Sequence, residues 1–134
     1  IVGFPGESER NFENTVRYIE GISFSGLHVF KFSPRRGTPA ADFADQIEPG
    51  IKEQRSRRLI ESGKKLAARF AWSLVGQELD VLVEQRAGEG DSLYEGLTGN
   101  YVRAIFPGRE ELRGEVVRVK MVETEGTTLK GFLC

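Results

Sequence analysis

The amino-terminal part of the chain carries the apolar spacing of an amphipathic helix. Phe12, Val16 and Ile19 recur at helical intervals, with charged residues between them. Ser8 precedes this run, and its hydroxyl can accept a hydrogen bond from the unpaired N–H groups of a first helical turn. Gly21 is a suitable stop. The pattern therefore predicts a helix between Ser8 and Gly21.

Extended segments flank this helix. Residues 1–4 (IVGF) read as the end of a strand, and residues 27–32 (LHVFKF) form an apolar run typical of a parallel strand covered on both faces. Strand, helix and strand make a βαβ unit, and two strands need further partners to form a stable sheet. We therefore expect the natural chain to begin upstream and these residues, up to residue 46, to complete a larger sheet or barrel.

A loop and a long helix follow. Residues 33–40 (SPRRGTPA) contain two prolines and a glycine, directly after the carboxyl end of a strand, where α/β folds place ligand sites. A helix is predicted from Pro49 to about Val75. Its apolar stripe consists of Ile51, Leu59, Leu66, Phe70 and Leu74. Its other face is basic, with Lys52, Arg57, Arg58, Lys64, Lys65 and Arg69. Such a face is either solvated or turned towards RNA.

Beyond Gly76 the pattern changes to short strands of alternating apolar and polar residues. The apolar runs lie at residues 79–83, 101–106, 117–121 and 127–133. Turn residues separate them at 88–90, 96, 99–100, 107–108 and 125–126. Four or five such strands predict a small antiparallel barrel, an architecture that many oligonucleotide-binding modules share. The fold expected is thus α/β followed by all-β, with domains at residues 1–75 and 76–134.

Charge is unevenly distributed along the chain, although its net value is only −1. Residues 31–75 hold ten lysine and arginine residues against five acidic ones, whereas residues 76–134 hold seven against eleven. A nucleic-acid contact in the second part must therefore rest on local cations, not on the overall field.

Three residues invite a chemical interpretation. Cys134 is the single cysteine, so this chain forms no internal disulfide and no multi-cysteine metal site. His28 lies within the apolar run, and Trp72 lies on the long helix; we interpret both as packed residues rather than functional ones.

Four motifs, in order along the chain, point to one family. They are IVGFPGES at residues 1–8, FSPRRGTPA at residues 32–40, Gln54-Arg55, and GLTGNY at residues 96–101. Together they resemble the radical-SAM methylthiotransferases, which end in a TRAM barrel. The sequence LHVF at residues 27–30 and the arginine after Ser33-Pro34 favour the type acting on threonylcarbamoyladenosine in tRNA. A phosphate-loop hydrolase is disfavoured, because residues 3–8 lack the Lys-Ser/Thr ending.

The resemblance implies a catalytic barrel of partial TIM type ending in the first domain. It implies S-adenosyl-L-methionine and 4Fe–4S clusters as cofactors of the complete enzyme, whose cluster cysteines would lie upstream. We therefore expect no catalytic residue and no metal ligand in this chain, and no activity from it alone. Contacts to the cofactor are expected from Gly3, Phe4, Pro5, Gly6, Glu7, Phe32, Ser33 and Pro34.

The same resemblance implies tRNA as the partner and a monomeric enzyme, with the sulfur donor unknown. No stretch of the sequence approaches the roughly 18 uninterrupted apolar residues of a membrane helix, so we expect no membrane partner and a cytoplasmic location. Contacts to RNA are expected from Arg35, Arg36, Tyr101, Arg103, Arg118 and Lys120. Two alternatives remain open: a methylthiotransferase acting on a ribosomal-protein aspartate, and a non-catalytic RNA-binding adaptor.

Overall fold

A computed structural model of the chain describes residues 1–88, 92–108 and 111–134. The chain forms two compact units, Ile1–Ala67 and Ala68–Cys134. The predicted domain division between residues 75 and 76 stays a prediction. No helix in the described ranges is both long enough and apolar enough to cross a membrane.

The first helix, α1 (Glu9–Ile22), begins where the sequence predicts. Ser8 Oγ accepts a hydrogen bond from Asn11 N at 3.2 Å. The helix runs past Gly21 and ends at Ser23, which adopts the left-handed conformation and donates its N–H to Ile19 O at 3.3 Å. The expected stop at Gly21 is therefore displaced by two residues, to Ser23, within the usual uncertainty of helix ends.

The segments that precede and follow α1 in the sequence are extended, and they pair with each other in parallel. Val2 N donates to Phe30 O at 2.8 Å, Phe32 N donates to Val2 O at 2.8 Å, and Val2 bridges Lys31. The βαβ order is thus present, but the pairing is a single bridge rather than a sheet. His28 is exposed, so the prediction that it is a core residue is wrong: the described residues do not cover its side of the segment.

The next elements are a 3-10 turn at Pro39–Ala41 and the helix α2 (Pro49–Ser73), whose last residues, from Ala68, belong to the second unit. Leu59 of α2 packs with Val2, Phe12 and Val16 in a small core. Ile51 was predicted on the buried stripe, but it is 40% exposed. The first buried apolar residue of α2 is Leu59.

The second unit is a closed five-stranded barrel. Its strands are β1 (Glu78–Arg86), β2 (Leu93–Thr98), β3 (Arg103–Pro107), β4 (Val116–Glu125) and β5 (Thr128–Leu133), in the order β1-β2-β3-β5-β4. Four of the five strand pairs are antiparallel, as predicted, but β3 and β5 run parallel. The barrel closes through this parallel pair, which a local alternating pattern does not reveal.

Alternation along the strands fills the barrel interior. Val81 and Val83 of β1 are buried between exposed neighbours, as predicted. The core also contains Tyr94, Ala104, Phe106, Val119, Met121 and Leu129. Ala71 and Leu74, at the end of α2, pack against it. Trp72 between them is 71% exposed, so its predicted packing role is wrong.

Gly96 was predicted as a turn residue, but it lies inside β2. A Cβ there would stand 2.1 Å from the Leu82 carbonyl oxygen, so the strand needs a glycine to approach β1. The turns predicted at residues 99–100 and 125–126 form between strands. Residues 89 and 90 of the turn predicted at 88–90 lie outside the described residues.

Candidate functional sites

A tight turn follows the first extended segment. Glu7 N donates to Phe4 O at 3.0 Å, which closes a four-residue turn over Pro5 and Gly6. Gly6 has a φ of 79°, as a type II turn requires at its third position, and proline favours the second. Gly6 N also donates to Asp45 O at 2.9 Å. The turn is thereby held in one conformation from two sides.

The Glu7 carboxylate points back into the protein. Its Oε2 accepts from Gly3 N at 2.7 Å and from Arg55 Nη1 at 2.7 Å. Arg55 Nη1 also donates to Glu7 O at 2.8 Å, and Arg55 Nη2 donates to Glu9 Oε2 at 3.0 Å. The side chains of Arg55 and Glu7 are only 6% and 13% exposed. Glu7, expected to contact the cofactor, is therefore bound to the protein itself.

Three phenylalanine rings stand beside this turn. Phe4 meets Phe32 edge to face at 5.1 Å between centroids and meets Phe43 at 6.3 Å. Phe4 and Phe43 are each 45% exposed, so the cluster offers aromatic surface to solvent. The sequence predicted Phe4 and Phe32 here but not Phe43, which no motif distinguishes from an ordinary loop residue.

Lys52 of α2 contacts both Phe32 and the backbone region beside Gly3. Its Nζ donates to Phe32 O at 3.3 Å and lies 5.3 Å from the Phe32 ring centroid. A Cβ on Gly3 would lie 2.4 Å from Lys52 Cγ, so the lysine stem fills the space beside Gly3. Ser33 and Pro34, the last two expected cofactor residues, are exposed. The expected residues thus lie at the ends of the two paired extended segments.

The groups implied by the resemblance fit this chain to different degrees. Half-exposed rings beside a glycine-shaped turn suit the flat, partly apolar adenosyl group of S-adenosyl-L-methionine. A 4Fe–4S cluster needs several thiolates, and the sequence has only Cys134, which is exposed. Within the described ranges no group of three or more His, Cys, Asp or Glu residues could hold a metal ion.

Arg35 and Arg36 lie on an exposed loop. Arg35 O accepts from Thr38 N at 3.1 Å and from Thr38 Oγ1 at 2.8 Å, which tightens the loop at its tip. Neither arginine side chain forms an ion pair within the ranges that the structure describes. Both guanidinium groups are thus available to an anionic ligand.

The barrel cations expected to contact RNA are, in contrast, paired with carboxylates. Arg118 Nη1 lies 3.1 Å from Asp80 Oδ1, Lys120 Nζ lies 3.9 Å from Glu78 Oε1, and Arg103 Nη1 lies 2.5 Å from Glu95 Oε1. Arg118 and Lys120 share one outward face of β4, as their spacing predicts.

Tyr101 lies in the turn between β2 and β3. It is 86% exposed, with a φ of 59°, and its N–H donates to Thr98 O at 2.9 Å. Thr98 Oγ1 also accepts from Val102 N at 3.1 Å. The turn therefore presents the ring to solvent.

Comparison with known proteins places these features in a family. Residues 73–133 match the TRAM domain family. The chain is 38% identical over 125 residues to the threonylcarbamoyladenosine tRNA methylthiotransferase MtaB of Bacillus subtilis, covering 92% of this chain and 28% of that protein. It is 39% identical over 131 residues to the tRNA-2-methylthio-N(6)-dimethylallyladenosine synthase of Moorella thermoacetica, covering 98% of this chain and 30% of that protein. It thus spans less than a third of the length of these relatives. The chain belongs to the radical-SAM methylthiotransferase family and carries that family's TRAM domain at its end.

Proposed function

We propose that this chain is the carboxy-terminal part of an enzyme that adds a methylthio group to C2 of threonylcarbamoyladenosine in tRNA. The observation that carries the proposal is the match of 92–98% of the chain, across both units, to proteins named for methylthiolation of tRNA. Identities of 38% and 39% do not separate the two substrate types. The choice of substrate rests on the sequence LHVF at residues 27–30 and on Arg35 in the loop.

In this proposal the first unit is the end of the catalytic barrel and forms one wall of the cofactor site. Phe4 and Phe32 present ring surface to the adenosyl group. Gly3, Pro5 and Gly6 shape the backbone beside it, and Ser33 and Pro34 border it. Glu7 acts as a positioning residue and not as a direct contact, because Arg55 and the Gly3 amide donate hydrogen bonds to its carboxylate.

When bound, S-adenosyl-L-methionine at its 4Fe–4S cluster supplies radical chemistry at an unreactive C–H bond. The residues of this chain bind and orient, and they exclude water from the aromatic side of the site. A single exposed cysteine cannot hold the cluster, so the 134-residue chain is inactive by itself in this proposal.

The barrel serves as the tRNA-docking module in this proposal. Arg118 and Lys120 contact phosphates from the β4 face, Arg103 contributes from β3, and Tyr101 stacks on a base. Arg35 and Arg36, in the loop of the first unit, also contact the RNA in this proposal. Membership of the TRAM family and the exposure of these side chains support the assignment. The enzyme acts as a monomer in the cytoplasm, where its tRNA substrate is found.

The test uses the full-length protein with its clusters reconstituted, S-adenosyl-L-methionine, a reductant and a sulfide source. Three substrates are compared: tRNA carrying threonylcarbamoyladenosine, tRNA carrying dimethylallyladenosine, and a ribosomal protein. Mass spectrometry of nucleosides and peptides identifies the methylthiolated product. We expect product from the first substrate and none from residues 1–134 alone. Product from the second tRNA only would move the assignment to the dimethylallyl type, and product from the ribosomal protein only would contradict a tRNA enzyme.

A further inference from the structure

We propose that Arg55 is a positioning residue for the cofactor site: it holds the Glu7 carboxylate against the Gly3 amide and so sets the backbone of the turn at residues 3–7. The inference rests on the proposed function, because it concerns the site assigned there to S-adenosyl-L-methionine.

The arginine joins residues that are distant in sequence. It lies in the second turn of α2, 48 positions after Glu7, and reaches the carboxylate and the carbonyl of that residue with one nitrogen. Its other terminal nitrogen binds Glu9 in the first turn of α1. The planar guanidinium presents these donors in a fixed fork, so it defines where the acceptors lie.

Glu7 passes this constraint to the turn. One carboxylate oxygen, Oε2, accepts both from Arg55 Nη1 and from Gly3 N. Gly3 has a φ of 71°, and the half-exposed ring of Phe4 follows it directly. A displaced Glu7 would release the Gly3 amide, and Phe4 would then lose its defined position.

Stability alone is a poor reason for an arginine at this place. The residue is 5% exposed, and its Nε has no hydrogen-bond partner within the described ranges. Replacing a buried ion pair by well-packed apolar side chains is often neutral or stabilising, whereas its fixed geometry can specify one conformation. The buried charge is therefore best explained by the position that it imposes on Glu7.

Arg58 provides a matched control on the same helix. Its two terminal nitrogens bind the Glu13 carboxylate of α1, with 2.9 Å between Nη2 and Oε2 for one of the two contacts. This pair also joins α2 to α1, but it is about half-exposed and does not touch the turn. Arg58→Gln thus removes the same charge and a similar inter-helix contact, while the candidate site is left intact.

The experiment uses the full-length protein with its clusters loaded and compares wild type with Arg55→Gln, Arg55→Lys, Glu7→Gln, the double variant Arg55→Gln with Glu7→Gln, and Arg58→Gln. Circular dichroism first identifies a temperature at which each variant is folded. Equilibrium dialysis then gives the dissociation constant for S-adenosyl-L-methionine, and kinetics separate its KM from kcat.

We expect Arg55→Gln to weaken cofactor affinity by about tenfold or more, as small displacements of positioned groups do. The cofactor affinity of the double variant should lie within about twofold of that of Arg55→Gln, because the arginine acts through Glu7. Arg55→Lys should fall between, since an ammonium keeps the charge but not the fork. Arg58→Gln should remain within about twofold of wild type, and tRNA affinity should be unchanged throughout.

A folded Arg55→Gln variant that binds S-adenosyl-L-methionine like wild type would overturn the inference, even if its thermal stability were lower. Should that variant not fold, a further variant, Glu7→Ala, decides in the same way: it leaves no side-chain acceptor for Gly3 N or Arg55, so normal affinity there would mean that the carboxylate positions nothing. A wild-type protein that does not bind the cofactor would instead refute the proposed function itself, whatever the variants do.

Discussion

Arg118 on β4 and Asp80 on β1 stand directly opposite each other in the barrel, with 3.1 Å between Nη1 and Oδ1. Lys120 and Glu78 repeat this arrangement two residues away at 3.9 Å. All four side chains are exposed to a third or more, so each pair contributes only about 0–1 kcal/mol to stability. The pairs matter more for binding, because a phosphate must compete with two carboxylates for the same cations.

Neutralising these carboxylates should strengthen tRNA binding. In the full-length protein, Asp80→Asn with Glu78→Gln frees Arg118 and Lys120, so we expect a higher affinity and a steeper dependence on salt. Arg118→Ala with Lys120→Ala should weaken binding and reduce the logarithmic salt slope by about 1.4–1.8, the value for two lost phosphate contacts. Filter binding or fluorescence anisotropy across a salt series measures both quantities.

The control for this experiment removes two acidic residues elsewhere on the barrel. Glu123 and Glu125 flank Lys130 on the β4–β5 hairpin, so replacing both by glutamine changes the net charge equally. If that variant gained as much affinity as the β1 variant, only overall charge would matter. The face formed by Arg118 and Lys120 would then not be the RNA surface.

Gly96→Ala should destabilise the barrel. The added Cβ would stand 2.1 Å from Leu82 O and 2.9 Å from Val81 Cγ1, and both belong to the paired strand β1. Strain of this kind costs about 1–3 kcal/mol or more. Gly99→Ala is the matched control, because nothing lies within 4 Å of its Cβ. Urea unfolding compares the two free energies, and equal values would contradict the close approach of β1 and β2.

Leu74 and Trp72 should differ sharply when each is truncated to alanine. Leu74 is 5% exposed in the barrel core, so its loss should cost about 2–5 kcal/mol. Trp72 is 71% exposed, and its loss should change the free energy of unfolding by about 0.5 kcal/mol or less. Thermal or urea unfolding followed by circular dichroism measures both; a large effect at Trp72 would show that the ring packs after all.

The barrel could be predicted because alternation along a strand reports burial directly. Val81, Val83, Val119 and Met121 point inward at the spacing that the sequence displays. The parallel pairing of β3 with β5 could not, since it joins Ala104 to Leu129 through no local signal. Gly96 was misread for a related reason, because a glycine needed for close strand contact looks like a turn glycine in sequence.

The candidate cofactor site was predicted only in part. The turn at Pro5 and Gly6 follows from local chemistry, and the structure forms it. The roles of Lys52 and Arg55 were missed, because both belong to a helix whose basic residues are mostly exposed. Burial of Arg55 depends on a carboxylate almost fifty positions away, and sequence spacing carries no record of that contact.

The Glu13–Arg58 pair should make the first unit sensitive to acid. The hydrogen bonds from the Arg58 side chain lower the pKa of Glu13 from its ordinary value of 4.5, although burial opposes this in part. A carboxyl group whose pKa is lowered on folding stabilises the protein above its unfolded pKa, and this stability disappears as the pH falls through the folded pKa. The coupling between the two residues should therefore be present at neutral pH and should disappear as the pH falls through the lowered pKa of Glu13.

A double-mutant cycle of the whole chain measures this coupling. Wild type, Glu13→Gln, Arg58→Gln and the double variant are unfolded in urea at a series of pH values, and other titrating carboxyl groups cancel in the cycle. Arg58 also lies over the Phe12 ring, 5.5 Å from its centroid. Because that cation–π contact does not depend on Glu13, it cancels in the cycle. A coupling that persists in acid would therefore mean that Arg58 binds the Glu13 carboxyl group without relying on its charge.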